Sequence, residues 1–260
     1  MIYLTDLTKY LDDYLHFDQN LAVAKIDPYM TNGLIVRGNE EVKKIGFAVS
    51  ASLTLFQKAK ESTCEAVIVH HSFNYPPYNR YDSIFQNRIS YLFKNNISLF
   101  GYHFLLDAHP EVGNNYQILI ALGAKPIKPY FHRGNPWGWI GEFDKSQDFQ
   151  KIVNDFKKYS SKRSIVYDTG PEKVKRVAVV SGKGAPLPGD MQALIDQKID
   201  LFITGEVHEW NREHFREADI NFIAAGHYAT EKFGIQALMA RVQAKFKDID
   251  VVWLELLNEV

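Results

Sequence analysis

The chain has 260 residues, 46% of them hydrophobic and 23% charged, with 30 lysines and arginines against 31 acids, nine histidines and one cysteine. This composition excludes a disordered or low-complexity chain and leaves room for one large or two small domains with a sizeable core. A formal net charge of −1 offers no field for a phosphate backbone, so nucleic acid is not expected as the main partner. Cys64 alone cannot close an internal disulfide, which suits a reducing, cytoplasmic setting. The apolar runs fall far short of the ~20 residues that span a bilayer. The opening MIYLTDLTKYLDDYL carries acids where a signal peptide carries bases, so a soluble protein without membrane partners is expected.

Leu4, Leu7, Tyr10, Leu11, Tyr14 and Leu15 recur on one face of a first helix, and Asn32-Gly33 marks a turn. KKIGFAVSAS reads as a strand, LTLFQKAKES as a helix and CEAVIVHH as a short buried parallel strand, which together make a βαβ unit. SIFQNRISYLFK reads as a helix, NISLFGYH as a strand, and NNYQILIALG as a helix closed by Gly123. The Pro-, Gly- and aromatic-rich KPIKPYFHRGNPWGWIGEF is the expected boundary between a first half, 1–128, and a second, 129–260.

Beyond it, VKRVAVVSGKG is a strand leading into a Gly loop, DMQALIDQKI a helix, DLFITGE a strand, HEWNREHFREA a helix and INFIAAGH a strand. Ile235, Leu238, Met239, Val242 and Phe246 mark a last amphipathic helix. Each half thus runs strand, helix, strand ending in polar residues, helix, strand ending in Gly and His. Val42-Lys43-Lys44-Ile45 aligns with Val174-Lys175-Arg176-Val177, as in an internal duplication. The alternative is that α/β proteins in general share this rhythm.

In parallel α/β sheets, ligands collect outside the carboxyl ends of the strands. Four apolar runs here end in a metal-capable residue: AVIVHH, SLFGYH, LFITGE and NFIAAGH. Neighbouring side chains on a strand point to opposite faces, so His70 and His71 reach one centre only where the strand has ended, or each serves its own ion of a pair. Asp107 follows in the next loop as a bridging carboxylate. His227 and Glu231 stand i, i+4 apart, on one face if GHYATE opens a helix. Imidazoles and carboxylates without thiolate suit Zn²⁺, Fe²⁺, Mn²⁺ or Ni²⁺ and disfavour Cu(I) or an iron–sulfur cluster.

His103, Glu206 and His208 are candidates to orient those ligands or to move protons. His16, His132 and His214 are expected on the surface or at caps, and no His or acid is placed to activate Cys64. Ser181, Gly182 and Lys183, in a loop after a strand, are candidates to hold a phosphate together with Arg80, although the loop lacks the Walker spacing. Tyr130, Phe131, Trp137 and Trp139 could stack a base or serve packing.

VIVHH, YHFLLDAHPEVGNN, ITGE and AAGHYATE, in this order, together with Asn32-Gly33-Leu34, resemble the NIF-three-like family, whose members are known as GTP cyclohydrolase 1 type 2 homologues or dinuclear metal-centre hexameric proteins. The resemblance runs from about residue 4 to residue 257. It implies an α/β fold duplicated into two similar, intertwined three-layer (α/β/α) halves and a toroidal homohexamer with its metal pairs facing an internal cavity. It also implies metal ligands at His70, His71, Asp107, His227 and Glu231, with Asp107 and Glu231 bridging. SFNYPPYNR after the His pair departs from the family pattern and bears on substrate identity. The absence of a long insertion between the halves marks a short, bacterial-type member.

The expected function is a hydrolase that uses two divalent ions to acidify a water for attack on a small-molecule substrate, such as C8 of a purine nucleotide. A phosphoesterase or amide hydrolase of another metabolite is a rival of the same chemistry. A non-catalytic, metal-binding hexameric scaffold or regulator is a rival of a different class. Any anionic substrate would be held by local charge, since the chain has no global field.

Overall fold

The computed structural model describes residues 1–73 and 81–260, and its chain opens with β1 (Ile2–Tyr3), α1 (Leu4–Leu15), α2 (Val23–Ile26), β2 (Gly33–Val36), β3 (Glu41–Val42) and β4 (Lys44–Ser50). Next come α3 (Leu53–Glu61), β5 (Ala66–His71), α4 (Ser83–Asn95), β6 (Ser98–Gly101), α5 (Phe104–Ala108) and α6 (Asn114–Leu122). The middle of the chain forms β7 (Lys125–His132), β8 (Asn135–Asp148), α7 (Phe149–Phe156), β9 (Ile165–Tyr167) and β10 (Lys173–Val180). After a 3-10 turn (Pro188–Asp190) follow α8 (Met191–Asp196), β11 (Leu201–Thr204), α9 (Asn211–Glu217), β12 (Asn221–Ala224), α10 (His227–Lys245) and β13 (Asp250–Trp253). None of the described helices is long and apolar enough to cross a membrane.

These elements group into two units, Met1–His109 with Ile235–Leu256, and Pro110–Gly234 with Leu257–Val260. The chain therefore leaves the first unit at residue 109 and returns to it inside α10; the sequence expectation is two intertwined halves, 1–128 and 129–260.

The first unit holds a five-stranded sheet in the order β13-β4-β5-β6-β2, parallel except for β2, and a two-stranded ribbon of β1 and β3. Its helices start and stop where local chemistry dictates. Ser52 and Asp82 cap α3 and α4 by accepting from the amides of Leu55 and Phe85, and Asn96 ends α4 in the left-handed region. Leu55, Phe56 and Ala59 of α3 and Leu92 of α4 pack with Val67, Val69 and Leu99 on one sheet face. Phe47, Ile68 and Phe100, on the opposite face by strand alternation, are also fully buried. The sheet is thus covered on both sides, as parallel strands require.

The second unit holds a six-stranded sheet in the order β7-β8-β10-β11-β12-β9, with β10, β11 and β12 parallel. Ile118 and Leu119 of α6 and Phe149, Ile152 and Phe156 of α7 pack with Val177, Val179, Leu201 and Ile203 on one face. Met191 and Leu194 of α8 and Phe215 of α9 pack with Ala178, Val180, Phe202 and Phe222 on the other, which gives three layers. Each such large apolar side chain contributes ~1.5–3 kcal/mol by burial.

The duplication is visible in the units' internal construction. β4-β5-β6 with antiparallel β2 matches β10-β11-β12 with antiparallel β9. The Glu65 carboxylate accepts from the amides of Lys43 and Lys44 at 3.1 and 2.9 Å, and the Asp200 carboxylate accepts from those of Lys175 and Arg176 at 2.8 Å. The same acid brace therefore stands at the same place in each repeat.

The segment expected to separate the halves is instead a hairpin inside the second sheet. Arg133 and Gly134 both take positive φ, 50° and 77°, and turn β7 into β8. Pro126 and Pro129 are tolerated because β7 is an edge strand.

Candidate metal centre

In the first unit, β5 delivers His70 and His71 at its carboxyl end. His70 is fully buried, and its Nδ1 lies 2.9 Å from the Tyr102 carbonyl oxygen. A carbonyl only accepts, so Nδ1 carries the proton and Nε2 presents its lone pair. That nitrogen lies 3.6 Å from Asp107 Oδ1, which α5 carries at 5% exposure. His71 pairs with Ser50 across the β4–β5 ladder, and Ser50 Oγ lies 3.1 Å from its Nδ1. The His70 and His71 rings are 4.6 Å apart although the residues are consecutive, the result of placing them where β5 stops. His103, just before α5, completes a trio whose ligand atoms all lie within 4.8 Å of one another. Its Nδ1 meets Asp27 Oδ2 at 2.6 Å, and its backbone amide donates to Asn32 Oδ1 at 3.0 Å. Neither Asp27 nor the role of Asn32 was foreseen from the sequence.

In the second unit, β12 runs into Gly226, whose φ of +103° lets the chain turn directly into α10 at His227. His227 Nε2 lies 3.0 Å from Glu231 Oε1, one helical turn on, and Nδ1 lies 2.6 Å from Glu206 Oε1 at the end of β11. Burial opposes charge on the His227 ring, but hydrogen bonds and negative charge from Glu231 and Glu206 prevail and raise its pKa to about 9. The pattern of His70 is repeated: Nδ1 held by an oxygen acceptor, Nε2 beside a carboxylate. Histidines that bind metals are oriented in this way.

The Ser181–Gly184 loop braces this second group. Ser181 N–H donates to Asn115 Oδ1 at 2.6 Å, Gly182 N–H to Thr230 Oγ1 at 3.0 Å, and Gly184 N–H to the Ser181 carbonyl at 3.1 Å. The Gly182 carbonyl accepts from the amides of Gly205 and Glu206 at 3.1 and 3.0 Å. These amides, expected to cradle a phosphate, are occupied within the protein.

The sequence profile of the Duf34/NIF3 (NGG1p interacting factor 3) family matches residues 3–258. The chain belongs to this family. Relatives named GTP cyclohydrolase 1 type 2 homolog occur in Archaeoglobus fulgidus, 35% identical over 97% of this chain and 98% of that one, and in Escherichia coli (strain K12), 37% identical over 93% and 95%. A solved structure described as protein ybgI, of unknown function, is 33% identical, covers 100% of both chains and superposes with a TM-score of 0.86.

The other candidates in this Duf34/NIF3 chain have separate places. His208 stacks on Trp210 with ring centroids 4.7 Å apart. Lys183 is exposed on its loop, and Arg80 lies outside the described residues. His16 caps α1 through Asp12, as expected, and His214 sits half-buried within α9. His132, expected at the surface or a cap, is buried in β7. Burial, reinforced by Arg133 and opposed by Asp190, lowers its pKa to about 4. Burial raises the Cys64 thiol to about 11, which leaves it without nucleophilic character. Of the aromatic residues, Tyr130, Trp137 and Trp139 pack on the core clusters of the second unit, and Phe131 is exposed.

Proposed function

We propose that this chain binds two divalent ions through His70, His71, Asp107, His227 and Glu231 and is a metal-dependent hydrolase of a small-molecule substrate. One observation carries the reading: two imidazole–carboxylate pairs, one buried and one partly buried, at 3.6 and 3.0 Å, in which the far nitrogen of each imidazole is already engaged. The all-nitrogen-and-oxygen donor set fits Zn²⁺, Fe²⁺, Mn²⁺ or Ni²⁺. Bound ions of this kind supply charge that polarises an electrophile and acidifies a water. The protein's own residues prepare for that role. The Tyr102 carbonyl and Glu206 accept from the Nδ1–H groups, so each Nε2 is the nitrogen turned toward a carboxylate, and Gly182, where a Cβ would collide with Glu231 Oε1, leaves that carboxylate its place.

The relatives' name suggests hydrolytic opening of a purine imidazole ring at C8, with release of formate. Metal-loaded protein should release formate from GTP and abolish the purine absorbance, and His227→Ala should lose both effects. Turnover of a phosphoester or cyclic amide without formate would retire the cyclohydrolase chemistry. Turnover of none of these substrates by fully loaded protein would favour a metal-binding scaffold.

A further inference from the structure

The two repeats share a spacing that the five proposed ligands use only once. After the third core strand the second unit places His227 and, four residues on, Glu231; the first unit places His103 and, four residues on, Asp107. Asp107 and Glu231 are both in the proposed ligand set, as is His227, whereas His103 is left out. The hydrogen bonding is equally matched. His103 Nδ1 is 2.6 Å from Asp27 Oδ2, and His227 Nδ1 is 2.6 Å from Glu206 Oε1. In both cases a carboxylate accepts a hydrogen bond from Nδ1–H, so that Nε2 is the nitrogen that would face a metal, the arrangement known from carboxylate–histidine–zinc sites.

The His103 ring lies 4.8 Å from that of His70 and 5.4 Å from that of His71, and one nitrogen from each ring falls within 4.8 Å of the others. Ligand atoms on one tetrahedral ion with bonds of ~2.0–2.1 Å stand roughly 3.3 Å apart. Ligands divided over two ions ~3.5–4 Å apart are spaced more widely. A spread of up to 4.8 Å is compatible with ligands divided over two ions.

We propose that His103 is a sixth metal ligand, binding through Nε2 and oriented by Asp27. The proposal rests on the dinuclear metal reading. Its rival is that Asp27 and His103 form an ion pair that only ties α5 to the preceding loop. The backbone separates the two, because the His103 amide is held independently by Asn32 Oδ1 at 3.0 Å. Removing the ring therefore leaves the start of α5 anchored.

The test is titration of metal-free full-length chain with Co²⁺, following the visible d–d bands and competing with a chelator of known affinity. Wild type, His103→Ala, His103→Asn, Asp27→Asn and, as a control for loss of a remote imidazole, His16→Ala are compared, with circular dichroism to confirm folding. His103→Ala and His103→Asn are expected to bind one of two Co²⁺ ions ~10–100-fold more weakly, with altered bands. Asp27→Asn, which still accepts from Nδ1–H, should lose less and keep the wild-type bands, and His16→Ala should match wild type. Wild-type affinity and bands in the folded His103 variants overturn this inference while leaving the five-ligand reading in place. A wild-type chain that takes up no Co²⁺ overturns both.

Discussion

Gly182→Ala probes how the second unit sets its carboxylate. Gly182 has φ +57°, where an L residue costs ~1–2 kcal/mol more than glycine, so the melting temperature should fall by about 2–8 °C in a chain of this size. The larger effect is local. A Cβ on Gly182 would collide with Glu231 Oε1 and come within 3.1 Å of His227 Nε2. The Glu231 carboxylate is the free end of a side chain and must retreat by roughly 1 Å to reach ordinary contact distance. Metal–ligand distances tolerate only ~0.2 Å, so this retreat removes a ligand. Affinity for one ion should drop ~10–100-fold, or ~1.4–2.7 kcal/mol. Gly189→Ala, with open space around its would-be Cβ, should behave as wild type. Zn²⁺ titration in competition with a chromophoric chelator, alongside thermal melts of the metal-free proteins, reads both effects. A Gly182→Ala protein that melts lower yet binds Zn²⁺ as tightly as wild type would refute the steric argument.

Three further outcomes are expected. His132 titrates near 4 when folded against an ordinary 6.5, so the unfolded chain binds more protons between these values and stability falls as pH drops through that window. Metal-free protein should lose about 2 kcal/mol from this residue between pH 7 and pH 5; His132→Gln should flatten the trend in urea unfolding, and an equally steep trend in the variant would assign it elsewhere. Asp200→Ala strands the amides of Lys175 and Arg176 and should cost ~1–3 kcal/mol, with Asp200→Asn recovering part of it; no loss by chemical denaturation would contradict the brace. Cys64, buried and raised to about 11, should react with a thiol reagent at pH 8 only on unfolding, and rapid labelling of native protein would count against its burial.

Much of the candidate site was legible because its residues follow apolar runs directly. AVIVHH, LFITGE and NFIAAGH announce both a buried strand and a polar group at its carboxyl end, and His227 with Glu231 carries helical spacing. What was illegible is long-range or too short to be periodic. Asp27 stands 76 residues before its partner His103, with nothing local to mark it. Strands β2, β9 and β13 are three or four residues long and give no alternation to read. The β7–β8 hairpin was read as a boundary because its prolines look like breakers, which an edge strand admits. The same strand turns Tyr130 and His132 inward and Phe131 outward, so His132 is buried by alternation. Ser181–Gly184 resembles a phosphate loop in composition, but its amides are claimed by Asn115 and Thr230, partners remote in sequence.

Counting metal tests the central claim most directly. The full chain, loaded in turn with Zn²⁺, Mn²⁺, Fe²⁺ and Ni²⁺ and freed of excess, should hold about two ions per chain by elemental analysis with at least one of them. His70→Ala and His227→Ala should each fall to about one while keeping the wild-type circular dichroism spectrum. No retained metal, or two ions still held when His70, His71, Asp107, His227 and Glu231 are all replaced, would contradict the account.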